Sequence, residues 1–284
     1  MPTALITGAS TGIGQATALR LARAGWTVLA GVRGQQDGER LLAEAPGGRL
    51  QPVTLDVTNH EQIVQVAARI SELSGGGASS PGRLDALINN AGIGFGGPLE
   101  LISPQDLRTQ FDVNVLGQIS VTQTMLPALR AAHGRIVFIS SVGGRVAMAF
   151  TAPYAASKHA IEALGDALRV ELATSNVQVA LVEPGSVATP IWDKSRGAAD
   201  ALTVPASLQK EYGHVPEAMD KVLQDTAKRG VAPDQVAQTI ERALGAKRMK
   251  SRYLVGRDAR AMVIARSLLP DHVFDRLAKR VLGV

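Results

Sequence analysis

The sequence predicts an α/β fold: a doubly wound parallel sheet of about seven strands, helices on both faces, and a helical extension at the C-terminal end. Three observations carry this reading. Short apolar runs alternate with longer stretches of helical period along most of the chain. Most of the runs are rich in Val, Ile and Leu on both faces, as parallel strands covered on both sides should be. The first run opens into a glycine-rich turn just before the first helical stretch. The chain has 284 residues, 45% hydrophobic and 19% charged, enough to bury one sizeable core. Folds of this class often run to that length as one domain.

Taken in order, the first strand is expected at 3–7 and the first helix at 13–24, on either side of the glycine turn. A second apolar run at 27–32 and a helix at 35–45 follow, then a strand at 50–55. Thr58-Asn59-His60-Glu61 reads as a capping box that opens a helix at 59–73. The stretch 74–82, Ser-Gly-Gly-Gly-Ala-Ser-Ser-Pro-Gly, is a flexible surface connection. The fourth strand is placed at 84–88. Ser103-Pro104 supplies an N-cap and a proline at the first helical position for a long helix at 104–131. A strand at 135–140 precedes a helix at 153–174, where Pro153 suits the first turn and Ile161, Leu164 and Leu168 continue the apolar period. Strands at 178–183 and 252–255 and a helix at 233–245 complete the alternation. Two segments break it. Residues 190–231 hold prolines, Trp192, Tyr212 and His214 with no clean strand, and 257–283 read as two short amphipathic helices separated at Pro270.

The turn after the first strand is Thr7-Gly8-Ala9-Ser10-Thr11-Gly12-Ile13-Gly14. Between a strand and a helix, such a turn suits a pyrophosphate. The helix N-terminus offers free N–H groups and partial positive charge, and glycines let the backbone come close. Gly14 is followed by Gln15 rather than Lys-Ser/Thr, so it is not a nucleoside-triphosphate loop. About twenty residues on, an acid would be expected to bind the adenosine 2′-hydroxyl of NAD. The second strand ends instead in Gly31-Val32-Arg33. Arg33 fits a 2′-phosphate, and Asp37 is near enough to leave NAD open.

One more local feature stands out. Only three tyrosines occur, and Tyr154 stands four residues before Lys158 in a run of small residues. On a helix the two share a face. The pair recurs by chance, and its context decides its meaning.

Composition excludes several classes. There is no cysteine, so disulfides, thiolate nucleophiles and Cys-ligated zinc are ruled out. The five histidines show no metal-ligand spacing, so no metal is expected. The start of the chain lacks a basic region and a long apolar run, so it does not read as a signal peptide. No uncharged apolar stretch is long enough to span a membrane, and a cytoplasmic location is the expectation. From Lys228 onward there are thirteen Lys/Arg against five Asp/Glu, a net of +8, which leaves −3 for the rest of a chain whose total is +5. Such a tail can meet an anionic membrane surface, but a solvated basic face beside the fold is favoured. Nucleic acid is not supported, since no aromatics interleave with the charges.

In order along the chain, these residues resemble the short-chain dehydrogenase/reductase family from about Thr3 to Thr189. The glycine turn is similar to its T-G-x-x-x-G-x-G motif at Thr7, Gly8, Gly12 and Gly14. Asn89-Asn90-Ala91-Gly92 resembles N-N-A-G, and Pro184-Gly185 with Thr189 resembles P-G-x-x-x-T. The resemblance implies one Rossmann domain over 1–284, with a substrate lid at about 190–231 and a basic extension at about 257–284. It implies an NADP(H) or NAD(H) cofactor held by the Gly8–Gly14 turn (with Ser10, Thr11 and Ile13), Arg33, Asp56 and Val57 at the adenine, Asn90 to Gly92, Pro184, Gly185, Val187 and Thr189. It also implies a catalytic set of Asn114, Ser141, Tyr154 and Lys158. Tyr154 would exchange a proton with the substrate oxygen, Ser141 would bond that oxygen, Lys158 would assist Tyr154 and reach the cofactor ribose, and Asn114 would hold a water.

A related branch uses the Tyr/Lys pair for nucleotide-sugar epimerisation, but its glycine loop reads G-x-x-G-x-x-G, unlike this one. A non-catalytic NADP-binding regulator would not need Ser141, Tyr154 and Lys158 together. Around the substrate the resemblance places Met148, Phe150 and Trp192 with Ser141 and Tyr154, mainly apolar and with no arginine clamp for a carboxylate. The late stretch after Ser251 resembles hydroxysteroid and retinol dehydrogenases, so a lipophilic alcohol or ketone is expected. The helices at 104–131 and 153–174 resemble the family's dimer face, which implies a homodimer or homotetramer.

Overall fold

The computed structural model describes residues 1–75, 80–189 and 204–282. Seven strands form one sheet: β1 (Thr3–Ile6), β2 (Thr27–Val32), β3 (Leu50–Thr54), β4 (Ala86–Asn89), β5 (Arg135–Ile139), β6 (Gln178–Pro184) and β7 (Arg252–Val255). Their order is β3-β2-β1-β4-β5-β6-β7, and every neighbouring pair is parallel. Parallel neighbours need crossovers, and helices supply them: α1 (Gly12–Arg23), α2 (Gln35–Glu44), α3 (His60–Leu73), α4 (Pro104–Phe111), α5 (Gln118–Ala132) and α6 (Ala152–Glu171). Further on are α7 (Gln209–Tyr212), α8 (Val215–Arg229), α9 (Pro233–Gly245), α10 (Arg257–Leu268) and α11 (Asp271–Leu282).

Side chains alternate across each strand and so divide the core in two. Ala4 and Ile6 pack with Leu21 of α1, Leu41 of α2 and Ile240 of α9 on one face. Leu5 packs with Ile63 of α3, Met125 of α5 and Ile161 of α6 on the other. On the first face Arg20 of α1 bridges Asp234 and Glu241 of α9. The strand order reverses between β1 and β4, which opens a crevice at the carboxyl ends of those strands.

Strands at 27–32 and 252–255 and the helix at 233–245 fall where the sequence places them. Other expectations are corrected. The fourth strand starts at Ala86 rather than 84, because the Leu84 N–H turns to the Ala128 carbonyl of α5. The helix expected over 104–131 is interrupted by a π turn, Asp112–Gly117. The cap of α3 is Asn59, not Thr58: Asn59 Oδ1 accepts from the Gln62 N–H, while Thr58 bonds to Asp56. Ser103 caps α4 as expected, accepting from the Asp106 N–H. The irregular segment shows no clean strand by sequence, and α8 spans fifteen residues within it, with Pro216 in its first turn. The two C-terminal helices are present on either side of Pro270. Among the described residues no helix is long and apolar enough to cross a membrane.

Candidate active site

The crevice at the β1/β4 switch point is lined by Gly8, Ser10, Thr11, Gly12 and Ile13 on one side and by Asn90, Ala91 and Gly92 on the other. Gly8 takes φ +64°, and a Cβ there would stand 2.9 Å from the Ala91 Cα. Gly14 lies beneath the turn, where a Cβ would meet the Gly8 carbonyl oxygen at 2.3 Å and Asn90 Nδ2 at 2.5 Å. The two glycines thus let the turn lie flat on the end of β4. Thr11, at the N-cap of α1, makes no side-chain cap bond, and no acid sits in the first turn. The N–H groups of Gly12, Ile13 and Gly14 therefore have no intrahelical acceptor, and the end of the helix keeps its positive field. This cradle fits a pyrophosphate.

Arg33, Asp56, Val57 and Thr189 line the same crevice. Arg33 is exposed just past β2. Asp37, the acid that left NAD open, is instead paired with Arg40. Asp56 Oδ1 accepts from the N–H and hydroxyl of Thr58, and the Asp56 N–H donates to Gln62 Oε1, which fixes this corner. Of the other residues expected at the cofactor, Pro184, Gly185 and Val187 are not among those lining the crevice. Gly185 donates its N–H to Val255, and the Val187 side chain is in the core.

Asn90 ties β4 to β1. Its Nδ2 donates to the carbonyls of Thr7 and Gly8, both at 2.9 Å, while the N–H groups of Asn90 and Ala91 donate to Thr7 Oγ1. The chain beyond is held by three buried amides spaced four residues apart, Gln110, Asn114 and Gln118. Gln110 bonds Phe95 and Ile93, Asn114 bonds Ile93 through both its oxygen and its nitrogen, and Gln118 donates to the Ala91 carbonyl. Asn114 Nδ2 also donates to Ser157 Oγ of α6. Both amide hydrogens of Asn114 are thus engaged, which leaves Oδ1 capacity for one water. Sequence reading found Asn114 and missed Gln110 and Gln118. The available signal was a row of amides at helical spacing on a face that must be buried.

Ser141 follows β5 and caps a short turn, Val142–Gly144, its Oγ accepting from the Gly143 N–H at 3.0 Å. That bond leaves the hydroxyl proton free to donate. The Tyr154 hydroxyl is hydrogen-bonded with Ser141, which favours ionisation, but burial outweighs it and raises the phenol above its ordinary value. Lys158 is buried, with Nζ donating to the Ile139 carbonyl at 2.8 Å and lying 5.7 Å from the Tyr154 ring centre. Burial lowers its pKa to about 8, and the Glu162 carboxylate acts in the other direction. Asn114 and Lys158 meet beside Gly92, where a Cβ would stand 3.4 Å from Asn114 Oδ1 and 3.8 Å from Lys158 Nζ, and Ser141 and Tyr154 meet beside Gly143, where a Cβ would stand 3.4 Å from Ser141 Oγ and from the tyrosine ring.

Behind Lys158 lies a cluster the sequence did not reveal. Glu162 of α6 and Glu183 of β6 are both buried and both ion-paired with Arg252, whose Nε lies 3.0 Å from Glu162 Oε2 and 3.1 Å from Glu183 Oε1. Arg145 reaches Glu183 at 3.2 Å. Burial and the neighbouring Glu162 carboxylate push the Glu183 pKa up to about 7.

On the substrate side, Met148 and Phe150 lie between Ser141 and Tyr154. Phe150 has φ +64° and meets the His214 ring edge-on at 6.4 Å. Met219 of α8 closes on Gly96, where a Cβ would stand 2.7 Å from its terminal methyl. His214 and Met219 thus bring the chain around α8 over the loop of Phe150. Trp192 lies outside the described residues.

A parallel sheet with a glycine-turn crevice at its switch point, and a Ser-Tyr-Lys set at the end of that crevice, defines a dinucleotide-binding oxidoreductase framework. The family model for short chain dehydrogenases matches residues 2–200, and the chain belongs to that family. It is 31% identical over 279 residues to an NADPH-dependent 3-dehydrocapnine reductase of Ornithobacterium rhinotracheale, covering 96% of this chain and 95% of that one. It is 35% identical over 285 residues to human retinol dehydrogenase 16, covering 96% and 86%. A Burkholderia phymatum short chain dehydrogenase/reductase, solved in complex with NAD, superposes with a TM-score of 0.79 at 28% identity, covering 97% and 94%.

Proposed function

We propose that this protein interconverts a lipophilic alcohol and its ketone or aldehyde, preferring NADP(H) while admitting NAD(H), with Tyr154 as general acid and base. The observation that carries this is the Ser141–Tyr154 hydrogen bond with Lys158 Nζ 5.7 Å from the tyrosine ring, at the end of a crevice shaped for a dinucleotide. The Gly8–Gly14 turn would hold the pyrophosphate, Asp56 and Val57 the adenine, Arg33 a 2′-phosphate, and Asn90, Pro184, Gly185, Val187 and Thr189 the far end. The bound cofactor supplies or accepts the hydride. The likenesses to an NADPH-dependent reductase and a retinol dehydrogenase support the cofactor and the lipophilic substrate.

The residues divide the work as follows. Ser141 donates a hydrogen bond to the substrate oxygen, as an oxyanion donor does. Tyr154, kept protonated by burial, gives its proton to that oxygen when a carbonyl is reduced. In the reverse direction Tyr154 must ionise. From the ordinary phenol pKa of about 10, that costs roughly 4 kcal/mol at pH 7, and burial adds to the cost. At 5.7 Å from the ring centre the Lys158 ammonium supplies about 3 kcal/mol at an effective dielectric of 20, much of that cost. Phe150 and Met219 offer an apolar wall, consistent with an apolar substrate. Exposed Phe111, Leu116 and Val170 support self-association across the faces of α4 to α6. The test is turnover of a panel of retinoid, steroid and simple alkyl carbonyls with NADPH and with NADH. Oxidation of neither cofactor by any member would reject the proposal.

A further inference from the structure

The two buried glutamates behind Lys158 pose a problem in charge. Arg252 Nε donates to Glu162 Oε2 and stands 3.1 Å from Glu183 Oε1 as an ion pair, and its Nη2 is taken by Asp166 at 2.6 Å. Arg145 shares Glu183 Oε1. That leaves Glu162 Oε1 and Glu183 Oε2 buried with no N–H or hydroxyl partner. The two carboxyls are neighbours, since one nitrogen, Arg252 Nε, stands 3.0 Å from Glu162 Oε2 and 3.1 Å from Glu183 Oε1. Two ionised carboxylates here would repel and leave both oxygens unsatisfied. One proton between them satisfies both.

The pair is also joined to the reactive groups. Glu162 is one helical turn beyond Lys158 on α6, on the same face. Gly144, in the turn capped by Ser141, lies against this point: a Cβ there would meet Ser140 Oγ at 2.7 Å and Glu162 Cγ and the Lys158 carbonyl at 3.0 Å. Among the described residues, Lys158 faces the pair from α6, Arg145 from the turn after β5, and Arg252 from β7, while Asp166 is paired with Arg252 and Arg169. Tyr253 turns its hydroxyl to the Lys250 N–H, and Asp258 is occupied by the Ser186 N–H.

We propose that Glu162 and Glu183 share one buried proton and act together as a positioning pair, whose remaining negative charge holds Lys158 as an ammonium beside Tyr154. The proposal rests on the reading of Tyr154 and Lys158 as catalytic. Neither glutamate touches the reacting atoms. Their effect runs through the charge of Lys158.

The proton is tested without turnover. The infrared spectrum of the purified protein at about pH 6, below the Glu183 pKa of about 7, should contain the carbonyl stretch of a protonated carboxyl that exchanges slowly with deuterium. It should be lost in both Glu162→Gln and Glu183→Gln. Stability reads the same proton. Because the folded pKa of Glu183 is raised, its contribution is full below the unfolded value of 4.5 and is lost as pH rises through about 7. Melting curves of the wild type should show that loss, and those of Glu183→Gln should not.

The positioning role is tested by pH profiles of kcat/KM for carbonyl reduction with NADPH. In Glu162→Gln the alkaline limb should move down by roughly one pH unit or more, because Lys158 loses its nearest anion. In Glu183→Gln the amide can donate to Glu162, which then keeps its full charge, so the limb should not move down. A band that survives in both variants, or an unmoved limb in Glu162→Gln, overturns the pair. Tyr154→Phe in the same assay separates the two ideas: a variant that keeps its rate removes the catalytic reading itself, whatever the glutamates do.

Discussion

Lys158 Nζ donates to the Ile139 carbonyl across 2.8 Å, which fixes the middle of α6 to the last residue of β5. Ser141 lies two residues beyond Ile139, and Tyr154 one turn before Lys158. A single bond therefore sets the register between the two hydroxyls. It also consumes one of the three ammonium hydrogens and leaves two for other partners.

Replacing Lys158 with Met should keep the fold, since methionine fills a similar volume. The Ile139 oxygen would lose its donor, at a stability cost of about 1–3 kcal/mol. Activity should fall far more, by roughly a hundred-fold or more in kcat/KM, as for loss of one preorganised electrostatic group. The pH profile gives the sharper check. The lysine is charged below its pKa of about 8 and neutral above it. Wild-type kcat/KM should therefore decline above about pH 8, and the Met variant should lack that decline.

Gly14→Ala should abolish cofactor binding. Its new Cβ would lie 2.3 Å from the Gly8 oxygen, a backbone atom that cannot swing away. The turn must then lift from β4 and lose the Asn90 bonds to Thr7 and Gly8. Titration of intrinsic fluorescence with NADPH should show no saturation. Gly25→Ala serves as the control. It meets no neighbour, so any effect there comes only from its φ of +92°.

Arg33→Ala should raise the KM for NADPH by roughly ten- to a hundred-fold and leave that for NADH nearly unchanged. Asp37 is paired with Arg40 and so does not offer an unengaged carboxylate to a 2′-hydroxyl. Equal losses for both cofactors would show that Arg33 does not read the phosphate. A wild-type preference for NADH would remove the NADP(H) assignment.

Most of the sheet was legible because a parallel strand buried on both faces is apolar throughout, and these short runs alternate with longer stretches of helical period. The glycine turn was legible for a similar reason: Gly8 combines φ +64° with a backbone neighbour that would stand 2.9 Å from a Cβ, and the two together exclude any side chain. The glutamate cluster was not. Glu183 ends an apolar run where a charged residue ordinarily marks the end of burial, yet it is fully buried. Its partners come from positions as distant as Arg145 and Arg252, and no local pattern records that meeting. The π turn was hidden too, because Asp112–Gly117 carries no proline and keeps a helical period. The helix α8 escaped because Pro216 and its polar residues resemble a loop until tertiary contacts, such as Met219 on Gly96, hold it.

The central claim is that Tyr154 transfers the proton. Tyr154→Phe keeps the buried ring and removes only the hydroxyl. The decisive measurement is kcat of purified Tyr154→Phe on a carbonyl that the wild type reduces, with NADPH affinity measured alongside by fluorescence. The account predicts loss of nearly all turnover with cofactor affinity within a few-fold of wild type. A Phe variant that keeps more than roughly a tenth of the wild-type rate would contradict it, since a proton-transfer group contributes about a hundred-fold or more.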